Sequence, residues 1–190
     1  MSAAPNVELR PLAAADRDRL LAWRNLPEIA RWMYSDHAIT PDEHARWFAA
    51  ALADTRRRYW VIEAGGLPVG LANLYDLAPE HGRTAWAYYL ADPSTRGQGI
   101  GAFVEYWVIE HVFGALDLNK LWCEVLIDNE AVWRLHEGFG FRREALLREH
   151  VRKGGIPTDV VGLGLLKSDW AATREASRAR LASRCFDLPA

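Results

Sequence analysis

Cysteine is scarce. The 190-residue chain holds two, Cys123 inside a strand-like run and Cys185 near the end, which is no basis for a disulfide framework. The six His and two Cys show no metal-ligand spacing, so no metal is expected. No run approaches 18 uncharged apolar residues, and the first residues lack a basic stretch followed by an apolar one. Neither a membrane span nor a secretory leader is therefore expected, and the chain reads as soluble and cytoplasmic. Charge of one sign is missing as well. Lys and Arg number 23 against 25 Asp and Glu, a net charge of −2 with both signs interspersed, which offers no field for nucleic acid or an anionic membrane. A Gly-x-Ser-x-Gly elbow is absent, as are internal repeats and long linkers. What is present is apolar mass: half the residues are hydrophobic and nine are Trp, enough to bury a substantial core in one domain. We read that domain over 1–168, with a helical tail over 169–190.

The pattern along the chain is mixed α and β. Val7 to Leu12 alternates as a strand, and Asp16 to Asn25 reads as a helix ended by Leu26-Pro27, followed by a short piece over Glu28 to Tyr34. Thr40-Pro41-Asp42-Glu43 spells a capping box, with Thr40 as N-cap, Pro41 at the first helical position and Glu43 reaching back. The helix it opens runs to about Ala53 and puts His44, Trp47, Phe48 and Ala51 on one face. Arg58 to Glu63 and Leu67 to Tyr75 flank Gly65-Gly66 as a hairpin, and Thr84 to Leu90 is a fourth strand. A long apolar helix from Gly99 to about Leu116, a fifth strand over Lys120 to Leu126, and a helix from Asn129 to Gly138 follow. Phe141 to Val151 and Asp159 to Lys167 are two further strands joined at Lys153-Gly154-Gly155. After Trp170 an Ala- and Arg-rich surface helix or frayed tail is expected.

The chain is organised around Arg96-Gly97-Gln98-Gly99-Ile100-Gly101, between the fourth strand and the apolar helix. Glycines let backbone N–H groups approach a ligand and adopt positive φ. The first turn of the next helix adds unpaired donors and a partial positive charge, a setting for a pyrophosphate, with Arg96 as a cation at the rim. A Walker A loop would end in Gly-Lys-Ser/Thr, and a dinucleotide fingerprint would space its last glycine differently. Arg-x-x-Gly-x-Gly after a strand ending in Asp-Pro instead resembles the acetyl-CoA loop of the GNAT-type N-acetyltransferases. The element order β-α-α-β-β-β-α-β-α-β-β is similar to theirs over about residues 7 to 168. The resemblance implies an α/β fold: a mixed, mostly antiparallel sheet, splayed between strands four and five, with helices on both faces. It also implies acetyl-CoA as co-substrate, held by Leu90, Arg96, Gly97, Gln98, Gly99, Ile100, Gly101, Ala102 and Asn129.

Asn129-x-x-Val132-x-x-Leu135-His136 with Gly140-Phe141 resembles the family's second signature, in which a Tyr occupies the position of His136 and protonates the departing CoA thiolate. A histidine can do the same chemistry near neutral pH, or it can be a packed core residue. Asn129, implied by the resemblance to bond the cofactor arm, is also a natural N-cap. Glu124 stands in an apolar strand, where a carboxylate is costly unless paired or used; a general base and a carboxylate paired with Arg or Lys are the two readings. Tyr88 and Tyr89 alternate across the fourth strand, so one faces the splay and the other the opposite layer; both join His136 and Glu124 as catalytic candidates, and core packing is the other reading. Arg24, Trp32, Met33, Tyr34, His44 and Trp47 cluster in the early helices. Where His44 is not simply a core histidine, this set suits a uracil ring and a sugar diphosphate.

Several stretches resemble one branch more closely, the PseH-type N-acetyltransferases of pseudaminic acid biosynthesis, which serve flagellin glycosylation. They are Trp23-Arg24-Asn25, Arg31-Trp32-Met33, Ile39-Thr40 with Glu43-His44 and Trp47-Phe48, Lys120 to Val125, Leu135-His136-Glu137, and Val160 to Leu163 with Trp170. This resemblance implies acetylation of the 4-amino group of a UDP-linked amino sugar, UDP-4-amino-4,6-dideoxy-N-acetyl-β-L-altrosamine, and leaves room for a homodimer. Two alternatives stand beside it: a ribosomal-protein-type N-terminal acetyltransferase, favoured by an open acidic groove, and a non-catalytic acetyl-CoA-binding module, which would lack polar groups around the thioester.

Overall fold

The computed structural model describes residues 6–188; 1–5 and 189–190, the outer ends of the expected domain and tail, lie outside the described residues. The elements run β1 (Val7–Pro11), α1 (Arg17–Arg24), α2 (Pro27–Ala30), α3 (Pro41–Ala53), β2 (Arg58–Ala64), β3 (Leu67–Ala78), β4 (Arg83–Leu90), α4 (Ile100–Glu110), β5 (Lys120–Leu126), α5 (Glu130–Glu137), β6 (Arg142–Lys153), β7 (Ile156–Leu166) and α6 (Lys167–Ala182). The seven strands form one sheet in the order β1-β2-β3-β4-β5-β7-β6, antiparallel throughout except for β4 beside β5. Helices cover both faces, as the resemblance implied.

Local chemistry sets the turns. Gly65 and Gly66 both take positive φ (59° and 78°), the left-handed pair that a two-residue hairpin turn needs, and it brings β2 onto β3. Strand alternation then divides the side chains between two cores. Trp60 and Ile62 join the larger cluster under α4, whereas Val61 between them packs with Leu20 of α1 and Phe48 of α3. Phe103, Val104, Tyr106, Val108 and Ile109 of α4 are all buried.

The parallel β4–β5 pairing is short. Arg83 faces Lys120, Thr84 faces Leu121 and Ala85 faces Trp122, and there the ladder stops. Beyond it, Trp86 to Leu90 and Cys123 to Leu126 line a gap of about 450 Å³. This gap positions everything that follows.

Two expectations are corrected, and one pair of alternatives is decided. Only half of the capping box forms: Thr40 Oγ1 accepts from Glu43 N–H at 3.2 Å, but the Glu43 carboxylate turns to His37 Nε2 at 3.0 Å. The central helix is α-helical only to Glu110, then passes into a π-helical turn over His111–Ala115, where His111 stacks on Trp107 at 5.0 Å. Of the surface helix and the frayed tail expected after Trp170, the structure has the helix, with one face buried. Its Trp170 and Leu181, and Phe186 beyond it, belong to the same core as α4. Glu110 of α4 ties it down, accepting from Trp170 Nε1 at 2.7 Å and pairing with Arg174 at 2.8 Å.

Candidate active site

The glycine loop is built from its own short-range bonds. Asp92 accepts from Ser94 N–H at 2.8 Å and starts a 3₁₀ turn over Pro93–Thr95, and Gln98 Nε2 donates back to the Ser94 carbonyl at 2.7 Å. Gly97 (φ 76°) and Gly99 (φ 81°) follow, with Gly99 in the N-cap position of α4. The glycines serve different ends. A Cβ on Gly97 would meet nothing within 4 Å, so that side of the loop is open for a ligand. A Cβ on Gly99 would press on Arg184 and Phe186 at 3.1 Å, because the segment after α6 backs the loop. A Cβ on Gly101 would come within 2.9 Å of Tyr88 Oη. Among the described residues the N–H groups of Gly97 and Gly99 meet no acceptor. With α4 beginning at Ile100, the donors, the open side and the helix terminus fit a pyrophosphate. Arg96 is exposed and lines the gap beside Leu90, whereas Ile100 is core and Ala102 packs against it.

His136 of α5 lies at the floor of the gap, 3 % exposed, between the rings of Trp86 (5.2 Å) and Phe141 (5.3 Å). Its Nδ1 meets Glu105 Oε1 of α4 at 2.8 Å, and Glu105 is fully buried. Burial works against charge on the imidazole, but the Glu105 carboxylate and the neighbouring Cys123 thiol outweigh it and push His136 up to about 10. Glu105 is the residue that sequence reasoning missed. Its signal was available: a carboxylate between Val104 and Tyr106 in an almost continuously apolar helix.

Glu124 also lines the gap, and among the described residues no Arg or Lys pairs with it. Tyr34 Oη donates to Glu124 Oε2 at 2.8 Å, while the nearby Lys120 is taken by Glu144 at 2.5 Å. Burial, and then the bond to Glu124, push the Tyr34 phenol well above its ordinary range. Asn129 is at the N-cap position of α5 without capping it; its side chain makes no cap bond and faces the gap. Tyr88 stacks on Trp86 at 5.4 Å on the α4 side, and Tyr89 packs edge-on to Trp23 at 6.3 Å on the α1 side, its buried Oη without a partner among the described residues. Both line the gap, and burial raises both phenols.

The acceptor cluster expected from the early helices is divided. Trp32, Met33 and Tyr34 line the gap, with Glu28 and Arg31 added to them. Arg31 lies over the Trp32 ring at 4.6 Å. His44 does not reach the gap. It is 3 % exposed, donates from Nε2 to the Arg17 carbonyl at 2.7 Å and packs at a tilt against Trp47 and Phe48, so its face packs on α1. Trp47 packs edge-on to Tyr59 at 5.6 Å, and Arg24 turns its Nη2 to Ser35 Oγ at 3.1 Å. Among the described residues no cluster of His, Cys, Asp and Glu could hold a metal ion, and no helix is long and apolar enough to cross a membrane.

The chain has relatives among known proteins. The chain is similar to the putative ribosomal N-acetyltransferase YdaF of Bacillus subtilis, 26 % identical over 87 % of this chain and 93 % of the relative. It is 24 % identical to the spermidine N(1)-acetyltransferase of Escherichia coli K12, over 77 % of this chain and 78 % of that one. In fold it superposes on the spermidine N-acetyltransferase of Vibrio cholerae, crystallised with CoA and spermine, at a TM-score of 0.81 and 22 % identity, covering 87 % of this chain and 98 % of that one. The model of the acetyltransferase (GNAT) domain matches residues 6–142, from β1 to the start of β6. The chain therefore belongs to the GNAT acetyltransferase family and is an N-acyltransferase with acetyl-CoA as its co-substrate.

Proposed function

We propose that this acetyltransferase acetylates a primary amine of a small molecule that enters the gap beneath the loop between α2 and α3. The observation that carries this reading is the Tyr34–Glu124 hydrogen bond, which links that loop to β5 across the mouth and leaves an aromatic enclosure rather than an open peptide groove. In this role the loop over Arg96 to Gly101 binds the pyrophosphate, and Asn129 bonds the arm of the co-substrate. Glu124 accepts the proton that the ammonium must lose before nitrogen attacks, directly or through one water. The C–N bond forms as the C–S bond breaks, the electron pair passes to sulfur, His136 donates to the thiolate, and the second proton, shed by nitrogen as the amide forms, leaves to water. Polar groups of this kind around the reacting centre do not suit a binding-only module. The reaction belongs in the cytoplasm, where acetyl-CoA is available.

For the acceptor we infer a UDP-linked 4-amino sugar. Arg31 over Trp32, with Met33 and Tyr34 beside them, supports it, since a stacked Arg–Trp pair offers both a ring face and a cation for a nucleoside diphosphate. The separation of His44, Trp47 and Arg24 removes half of the set first expected to hold the nucleotide. A second reading has its own support: Glu28 and Glu124 both face the gap, and two carboxylates suit a polyamine. Free-thiol release from acetyl-CoA with three acceptors decides between them. A UDP-amino sugar turned over far better than spermidine or a Ser-initiated peptide, and inhibited by UDP, is the expected result. Efficient spermidine turnover without UDP inhibition would establish the second reading. Peptide turnover at comparable kcat/KM would overturn both.

A further inference from the structure

The buried pair beneath the gap says more about the transfer step than His136 alone. Glu105 lies on a helix that is otherwise packed with Phe103, Val104, Tyr106, Val108 and Ile109, and none of its surface reaches solvent. Taking a carboxylate out of water costs several kcal/mol, and well-packed apolar residues commonly replace buried ion pairs without loss of stability. Stability is therefore a weak reason for its presence. Its bonding is also one-sided. Oε1 meets His136 Nδ1 at 2.8 Å, and Oε2 has no partner among the described residues, so its charge is directed at the imidazole.

The other groups facing the ring are the Cys123 thiol on β5 and, near Glu105, the Tyr88 phenol on β4; Trp86 and Phe141 supply apolar walls. Among the described residues, no Lys or Arg pairs with Glu105. With Nδ1 committed to the carboxylate, Nε2 is the ring nitrogen left for the gap. A histidine so oriented by a third group is a recurring arrangement in acyl transfer.

We propose that Glu105 is a positioning residue for acetyl transfer, holding His136 as an imidazolium with one tautomeric outcome and its Nε2–H offered to the departing sulfur. The inference rests on the reading of His136 as the donor to the thiolate. As the amine nitrogen bonds to the acetyl carbon, the C–S pair moves to sulfur and the charge it creates faces a cation already in place. The first proton of the ammonium leaves by Glu124 and the second, shed by nitrogen as the amide forms, leaves to water, so neither has to be taken up by His136 before it donates. The imidazolium persists through the neutral range, in keeping with a His136 pushed up to about 10. Without the carboxylate, an imidazole so buried would sit at or below its ordinary value of about 6.5.

Glu105→Gln tests this, because the amide keeps the shape and can still accept from Nδ1–H. Two measurements are made: the pH dependence of kcat, and the titration of the His136 ring followed by NMR, which needs no turnover. Wild-type His136 should show no titration between pH 6 and 9. In Glu105→Gln the ring should titrate near or below 6.5, and kcat at pH 8 should fall on the order of 100-fold, recovering below pH 6, with KM for acetyl-CoA unchanged. A purely structural role would lower kcat equally at every pH. Full turnover by His136→Phe would overturn the donor reading and the inference with it. Loss of turnover in His136→Phe, with a wild-type rate and an unshifted titration in Glu105→Gln, would overturn the inference alone. Titration of the wild-type ring near 6.5 would overturn it without any variant.

Discussion

Tyr34 and Glu124, 90 residues apart in sequence, meet at 2.8 Å across the mouth of the β4–β5 gap. One comes from the loop after α2, the other from β5, and the bond places the loop over the site. Its phenol hydrogen also occupies one oxygen of the carboxylate assigned to take the amine's proton. The contact therefore couples acceptor entry to the base.

Removing the phenol hydroxyl should be felt by the acceptor and not by the co-substrate. Tyr34→Phe keeps the ring and deletes one hydrogen bond to a carboxylate, worth about 1 kcal/mol at this partly open position. That corresponds to roughly a fivefold fall in kcat/KM for the amine. Acetyl-CoA affinity by calorimetry should be unchanged. Equal losses for both substrates would place Tyr34 in the scaffold instead.

The glycine loop gives a test that needs no acceptor. Ligand bound only to the folded state stabilises it by about 2.7 kcal/mol at a hundredfold excess over Kd, so acetyl-CoA should raise the melting temperature. Gly97→Ala is the sharpest variant, because its Cβ meets no protein atom and would enter the open side of the loop. The φ of 76° adds about 1–2 kcal/mol of strain, leaving a folded but less stable chain. The acetyl-CoA shift should then shrink sharply. A full shift in this variant would remove Gly97 from the phosphate site.

How much of this was legible in the sequence depends on the reach of the signal. Gly65-Gly66 and the run from Arg96 to Gly101 act through their own backbone, so their turns could be read directly. The alternation of Trp60, Val61 and Ile62 likewise fixes opposite faces without knowing what covers them. The Glu105–His136 pair is different in kind, since its partners are 31 residues apart on two helices and only the packed sheet brings them together. Helical spacing put His44 on an apolar face correctly but could not say which surface that face meets. Either α1 or the gap satisfied the pattern, and α1 is what it meets. The buried face of α6 was hidden for a similar reason: Trp170, Leu181 and, beyond the helix, Phe186 are widely spaced apolar residues in an Ala- and Arg-rich segment, and their partners on α4 are distant in sequence.

His44 now carries a different expectation from the one its neighbours in sequence suggested. Its Nε2 bond to the Arg17 carbonyl is partly buried, so His44→Ala loses that hydrogen bond and opens space beside Phe48. A loss of about 2–3 kcal/mol in chemical denaturation is expected. Acceptor KM should stay within about twofold of wild type at a temperature where both are folded, a small change beside the tenfold that 1.4 kcal/mol represents. A large rise in acceptor KM with unchanged stability would return His44 to the binding set.

Lys153 offers a way to loosen the acceptor loop without touching the gap. It stands at the end of β6, before the Gly154-Gly155 turn, and its Nζ donates to the carbonyls of Met33 (2.8 Å), Ser35 (3.1 Å) and Ala30 (3.3 Å). Asp36 pairs with the same ammonium at 3.1 Å and accepts from Gly154 N–H at 2.7 Å. One cation thus fastens the segment that carries Trp32, Met33 and Tyr34 to a distant hairpin. Lys153→Met keeps the stem that packs there and removes the donors, so the Met33 and Ser35 carbonyls must find water, while that of Ala30 keeps the Met33 N–H. The loop should then hold its conformation for a smaller fraction of the time, and apparent acceptor affinity falls in proportion to that fraction. We expect acceptor KM to rise about tenfold, equivalent to 1.4 kcal/mol, while the acetyl-CoA-dependent melting shift stays as in wild type. Hydrogen exchange should show faster opening confined to residues 30–37. Unchanged acceptor KM together with faster exchange there would separate the loop from acceptor binding and move the entry path elsewhere on the gap.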